Sequence, residues 1–263
     1  MCTARGDGGV LRDTVPAADI RTGRNCLKEG GYKMSKFNII IVGCGGTGGN
    51  FIKELGRFLY RNSMRQYCRI LLADGDLVEE SNISRQPFLP QDVGRKKAEV
   101  MSEILQEAFQ VSCEYYPEYI DSVSDLSKFE DKNMVMLLVG CVDNHACRKV
   151  MHDYFQSAES CFYLDAANEY SAGEVVAAVR IDGTELSPDR VHYFPEILED
   201  VSVPRSWESC QQTNISSPQH LLTNLFAANI LLKCTVEFLS GDEWEGGIYY
   251  FDTFKGFLRF QEV

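Results

Sequence analysis

The 263-residue sequence predicts an α/β fold, a doubly wound and mostly parallel sheet with antiparallel strands added in its C-terminal half. Three observations carry that expectation. The apolar run at 38–42 breaks into a glycine cluster and is followed by a segment of helical period, the pattern of a strand covered on both faces that feeds a helix. Strand-like and helix-like segments then alternate as far as Ala167. Beyond it, the stretch NEYSAG is too short to hold a crossover helix, so the strand after it is expected to run antiparallel to its predecessor.

Residues 1–33 are rich in Gly, Arg, Asp and Thr with little apolar periodicity and read as a disordered leader. Met34 stands immediately before the first strand and is a natural start for one domain over 34–263. After that strand, Gly43, Gly45 and Gly48 fall on the G-x-G-x-x-G spacing, with Gly46 between them. Their missing Cβ atoms let a phosphate approach backbone N–H groups at a helix N-terminus. An ordinary strand-to-helix turn is the plain alternative. Taken alone, the motif suits a dinucleotide and ATP equally.

A second strand at 69–73 ends in Asp74-Gly75-Asp76. Asp74, at the strand tip, can accept hydrogen bonds from ribose hydroxyls, although a turn or capping carboxylate would look the same; Asp76 reads as a turn residue. The polar stretch that follows has the length of a functional loop. It carries Asn82, Arg85 and Gln86 and runs into a helix over 96–109 that opens with Lys96 and Lys97. Arg offers a planar fork and Lys a point charge, a pair suited to a triphosphate and superfluous for a nicotinamide cofactor. Solvated loop residues are the usual fate of such side chains.

A third strand is expected within 112–120 and a buried fourth at 134–140, with Asp143 and Asn144 at its carboxyl end, where ligands gather in open α/β sheets. A helix over 144–157 carries Arg148; capping of that helix is a strong alternative role for Asp143. Strands follow at 161–167, containing Asp165, and at 174–181. Residues 182–216 are irregular and include Trp207 and Cys210. An apolar helix over 218–239, with Ser217 as cap and Pro218 at its first position, is expected to be buried, and a hairpin about Lys255-Gly256 closes the sequence.

The formal charge of −12 and the pI near 4.9 argue against nucleic-acid or anionic-membrane binding. No run approaches the roughly 18 apolar residues of a membrane span, and no apolar core of a signal peptide stands at the N-terminus. Ten cysteines without a C-x-x-C read as reduced thiols of a cytoplasmic protein, with no structural zinc expected. Cys210, in SWESCQQ, lies outside the apolar runs and is the candidate reactive thiol, yet its neighbour Glu208 would not lower its pKa. His145, His152, His192 and His220 have no metal-site spacing, and His145 reads as a surface helix position.

Four blocks in order, GCGGTG, D-G-D-x-V-x-x-S-N-x-x-R-Q, V-G-x-x-K-A and C-V-D-N, resemble the ThiF/MoeB/HesA family, relatives of ubiquitin-activating enzymes. The V-G-x-x-K spacing selects Lys97 and leaves Lys96 facing solvent. D-A-A-N-E-Y-S-A-G-E-V-V is similar to the D-x-G-N-x-x-x-x-G-Q-V-V of the ThiF-like subfamily of plasmid and phage-type cassettes, with Ala167 in place of Gly. The resemblance implies a Rossmann-like domain that uses ATP to adenylate a carboxylate, usually the C-terminal glycine of a small ubiquitin-like or sulfur-carrier protein. It implies that the glycine turn holds phosphates, Asp74 the ribose, Arg85 and Lys97 the β- and γ-phosphates, and Asp143 a Mg2+ ion, with Asn82 and Gln86 supporting the nucleotide. It also implies a homodimer and allows a thioester at Cys210. An NAD-dependent oxidoreductase and a catalytically silent nucleotide-binding scaffold are the rival classes.

Overall fold

The computed structural model describes residues 18–19, 24–25, 36–201, 220–241, 244 and 246–263. Residues 18–19 pair antiparallel with 24–25, and the rest of the expected leader lies outside the described residues.

The domain runs β1 (Phe37–Val42), α1 (Gly46–Arg61), β2 (Cys68–Ala73), α2 (Lys97–Phe109), β3 (Glu114–Tyr116), α3 (Val123–Ser127), β4 (Val135–Gly140), α4 (His145–Ser157), β5 (Cys161–Asn168), β6 (Ala172–Ile181), β7 (Thr184–Ser187), α5 (Arg190–Tyr193), α6 (Glu196–Glu199), α7 (Leu221–Ser240), β8 (Gly247–Asp252) and β9 (Phe257–Glu262). The sheet order is β9-β8-β6-β5-β4-β1-β2-β3, and β7 pairs with β6 off that path. From β3 to β5 every pairing is parallel. From β5 onward every pairing is antiparallel, as the short link at 169–171 requires. The mixed α/β sheet expected from the sequence is the one observed.

Strand periodicity sorts the core into two layers. Ile39, Ile41, Ile70, Leu72, Leu137 and Val139 face the layer formed by α1, α2 and α7; Ile40, Val42, Leu71 and Leu138 face that of α4, with Met151, Tyr154 and Phe155. β1 is buried along its whole length, which is why its sequence shows no polar alternation.

The expected helix at 218–239 begins at Leu221, where His220 caps it by accepting the Leu222 N–H at 3.2 Å; Ser217 and Pro218 lie outside the described residues. By length and composition α7 could cross a membrane, contrary to the reading that no run comes close. In the fold it packs on α1 and lines the core, leaving Leu221, Leu222 and Phe226 exposed at its first turns.

Register gathers the candidate residues at one end of the sheet. Val42 is level with Ala73 on one side and Gly140 on the other, and Gly140 is level with Asp165 of β5. Gly43, Asp74 and Cys141 therefore emerge side by side. Strand order reverses between β1 and β4, so this is the switch point at which open α/β sheets form a ligand crevice.

Candidate functional site

The glycine turn is forced by close packing. Gly43 has φ +94°, and a Cβ on it would stand 2.6 Å from the Cys141 carbonyl oxygen. A Cβ on Gly48 would stand 1.9 Å from the Gly43 carbonyl oxygen, and one on Gly46 would stand 2.0 Å from Asn224 Nδ2. Gly45 is the N-cap of α1 and brings no side-chain acceptor; the first turn holds no acidic residue. The opening amides of α1 thus keep their partial positive charge at the sheet's carboxyl end.

Asp74 stands beside that turn, accepting the Cys44 N–H at 2.6 Å and the Asp76 N–H at 2.8 Å. Burial pushes its carboxyl above the ordinary range, against the pull of Lys97 and the two amides. Lys97 opens α2, buried, with Nζ 2.9 Å from Asp76 Oδ2. Burial works against its charge, but Asp74, Asp76 and, more weakly, Asp143 outweigh it and hold the ammonium above its usual value. Asp76 is therefore an ion-pair partner rather than a simple turn residue, and it also accepts the Tyr119 hydroxyl at 2.7 Å. Lys96, expected to face solvent, is half-buried and donates to the Gly75 carbonyl at 2.8 Å, because the loop folds back on itself through a Leu77–Lys96 bridge.

Within the loop, Asn82 is 5 % exposed and accepts the Glu79 N–H at 3.0 Å, so it holds a short turn rather than lying in solvent. Gln86 lies over the glycine turn, its Nε2 3.6 Å from a Cβ built on Gly45, and its buried Oε1 meets no hydrogen-bond partner among the described residues. Arg85 is half-buried, and its guanidinium has no ion-pair partner among the described residues.

On the far side, the cap of α4 is Asn144, whose side chain accepts the Cys147 N–H at 2.8 Å. Asp143 is exposed and does not cap, which removes the competing structural role the sequence offered it. Arg148 holds this loop from behind, donating to the Val142 carbonyl at 2.6 Å and pairing with buried Asp165 at 3.5 Å. His145 pairs with Asp200 at 2.9 Å. Cys210 lies outside the described residues. The described cysteines are free thiols, and burial raises those of Cys44 and Cys141, beside the turn, far above the ordinary value.

Three residues absent from the sequence-derived set complete the site. The Thr47 hydroxyl is shared between Oδ1 of Asn168 at 3.0 Å and Oδ1 of Asn224 at 3.3 Å, and Asn168 Nδ2 donates to Asn224 Oδ1 at 2.9 Å. A lone Asn in the first turn of a helix apolar nearly all round was the available signal, since a buried amide needs partners.

Among the described residues no group of three or more His, Cys, Asp or Glu could hold a metal ion by itself. Exposed Asp143 suits a Mg2+ that arrives on phosphates, because that ion usually takes one or two carboxylates and keeps several waters.

A family model described as ThiF family matches residues 21–263. The ATP-dependent ubiquitin transferase-like protein Cap2 of Escherichia coli is 36% identical over 105 residues, covering 38% of this chain and 16% of Cap2. Ubiquitin-like modifier-activating enzyme 5 of Arabidopsis thaliana is 28% identical over 137 residues, covering 46% of this chain and 30% of that protein. The chain thus matches less than a third of the length of either relative. Among solved structures, E. coli MccB with ATP superposes with a TM-score of 0.63 at 18% identity, covering 87% of this chain and 64% of MccB. PaaA superposes with a TM-score of 0.60 at 16% identity, over 86% of this chain and 64% of PaaA. At these identities the structural likeness speaks for the fold.

Proposed function

The chain belongs to the ThiF family, and from that premise we propose that it adenylates a C-terminal carboxylate with ATP. The observation that carries the reading is the meeting, at the switch point, of a capless glycine turn with a loop bearing two cations, Arg85 and Lys97. A dinucleotide enzyme would use the turn and Asp74, could keep Lys97 as the partner of Asp76, and would leave Arg85 without a task.

In this reading the α1 amides, with Gly43, Gly45, Gly46 and Gly48 stripped of Cβ atoms, cradle the phosphates. Asp74 receives the ribose hydroxyls. Arg85 and Lys97 offset the charge that builds on pyrophosphate as it leaves, and Asn82 and Gln86 hold the loop and the nucleotide above the turn. Asp143 would hold Mg2+, which supplies further positive charge to the phosphates when bound. The substrate carboxylate is already ionised near neutral pH, so no general base is needed. Its oxygen attacks the α-phosphorus, the bond from that phosphorus to the bridging oxygen breaks, and pyrophosphate departs, leaving an acyl-adenylate. The chemical task is then to align two anions, which positioning and positive charge accomplish.

The substrate class is a small ubiquitin-like or sulfur-carrier protein or a short peptide. A ubiquitin-like modifier-activating enzyme among the relatives, and MccB solved together with MccA, support a partner of this kind. The working form is a cytoplasmic homodimer, with the exposed first turns of α7 available to a second copy. Cys210 is the candidate acceptor for a later thioester.

ATP–pyrophosphate exchange tests the proposal, run with candidate carrier proteins and peptides bearing free and amidated C-termini. Exchange is expected only with a free carboxylate. Binding of NADH with no exchange for any candidate would overturn it in favour of an oxidoreductase; ATP binding without exchange would leave a nucleotide-binding scaffold.

A further inference from the structure

Asn224 is a fully buried amide in the first turn of α7, and its polar atoms are occupied by the neighbours of the glycine turn. Its Oδ1 accepts from Thr47 and from Asn168. Its Nδ2 donates to the main-chain carbonyl of Arg85 at 3.3 Å. The same Nδ2 lies so close to Gly46 that a Cβ there would stand 2.0 Å from it. One side chain thus touches the start of α1, the end of β5 and the loop main chain at the very residue whose guanidinium has no ion-pair partner among the described residues.

A residue filling the core would not need this arrangement. α7 already buries Ala227, Ala228, Leu231 and Cys234 in the core cluster, and an apolar side chain at 224 would avoid the cost of burying an amide. What an apolar side chain could not do is fix the main chain of Arg85 relative to the glycine turn. We infer that Asn224 is a positioning residue: with Thr47 and Asn168 it lets the C-terminal helix set where the loop cation stands above the turn. The inference rests on the nucleotide reading given above, and it assigns α7 a part in the site that its composition hides.

The consequence is selective. AMP shares the base, ribose and α-phosphate of ATP but lacks the phosphates assigned to Arg85. Removing Asn224 should therefore weaken ATP and spare AMP, whereas a general loosening of the fold would weaken both.

The test is equilibrium binding of ATP and of AMP, with Mg2+ present, to the full chain in four forms: wild type, Asn224→Ala, Arg85→Ala and the double variant. Asn224→Ala is expected to weaken ATP about fivefold, the worth of one hydrogen bond, with AMP affinity kept within about twofold. In the Arg85→Ala background the same change should have almost no further effect on ATP, because residues acting through one another are not additive. Equal losses for ATP and AMP, or full additivity in the double variant, would overturn the inference. Should Asn224→Ala fail to fold, Thr47→Val removes the shared hydroxyl at nearly constant volume and is expected to show the same preference at about threefold; equal losses there would overturn it too. A wild-type chain that binds no ATP would bring down the nucleotide reading and this inference together. A wild type that binds ATP, with variants that bind it equally well, would bring down the inference alone.

Discussion

Replacing Gly48 with alanine probes the tightest point of the site. The added Cβ would lie 1.9 Å from the Gly43 carbonyl oxygen, whereas contacts below 3.0 Å essentially never occur, so the turn must open by about 1.1 Å. The obstacle is main chain and cannot rotate aside, and the Cys141 Cβ, 3.1 Å away, blocks the other direction. Forced overpacking of this kind costs about 3 kcal/mol, the upper end of the usual range. For a chain of this size each kcal/mol lowers the melting temperature by about 2–4 °C, so a drop of about 6–12 °C is expected. A displacement of about 1 Å at the phosphate cradle should also weaken ATP binding, by pulling the backbone amides of the turn away from the phosphates. Gly94→Ala is the control: its φ of +85° strains any side chain, but nothing lies within 4 Å of the added carbon. That variant should lose about 1–2 kcal/mol from backbone strain alone and bind ATP as the wild type does. Thermal melts followed by circular dichroism, paired with ATP titrations, read both effects. A Gly48→Ala protein that melts and binds like the wild type would refute the account of a turn closed by contact.

Four further outcomes follow from charged groups of the site and the fold around it. Lys97→Met leaves Asp76 and Asp74 without their cation and should cost about 2 kcal/mol in urea unfolding, less than a fully buried pair because Asp76 is a quarter exposed. The Lys97 pKa is raised above its ordinary 10.5, so its contribution is fully present below that value and is lost only as pH rises through the higher folded value; wild-type ATP affinity should therefore show no loss of this charge between about pH 7 and 9. Protonated His152 donates from Nδ1 to Asp189 Oδ2 at 2.6 Å, which lifts its pKa above the ordinary 6.5, so its stabilisation is full below 6.5 and fades as pH rises through the folded value. In Asp189→Asn, the NMR titration of His152 should move down toward 6.5, and an unmoved midpoint would contradict the pairing. Arg148→Leu removes the brace from the Val142 carbonyl and the more distant of two arginine partners of Asp165, which keeps Arg190 at 3.1 Å and the Tyr163 hydroxyl at 2.9 Å, so unfolding stability should fall by about 1.5 kcal/mol.

The parallel half of the fold was legible because its strands are buried on both faces and read as unbroken apolar runs, of which β1 is the clearest. The antiparallel turn at β6 was legible from a connection too short to cross over. Local chemistry was harder to read. Asp143 and Asn144 are adjacent and either could cap α4; only the fold gives the cap to Asn144 and exposes Asp143. Lys96 and Lys97 could be ranked by spacing, but the carbonyl that Lys96 reaches comes from a loop folding back on itself, which spacing does not encode. Asn224 stood out as an amide in an apolar helix, but its partners did not, because Thr47, Asn168 and Arg85 lie 177, 56 and 139 residues away in the chain. α7 begins at Leu221 with His220, a less common cap, at its start, while Ser217 and Pro218, the signals the sequence offered, lie outside the described residues.

The central claim is that Arg85 and Lys97 turn a glycine motif shared with dinucleotide enzymes into a triphosphate site. Affinities for ATP, AMP and NADH, measured side by side on the wild type and on Arg85→Ala, test it most directly. The account predicts that the wild type prefers ATP over AMP by at least about tenfold, the worth of one charge-assisted contact, that NADH does not compete, and that Arg85→Ala erases most of the preference. Tighter binding of NADH than ATP, or a preference for ATP that survives the loss of Arg85, would contradict it.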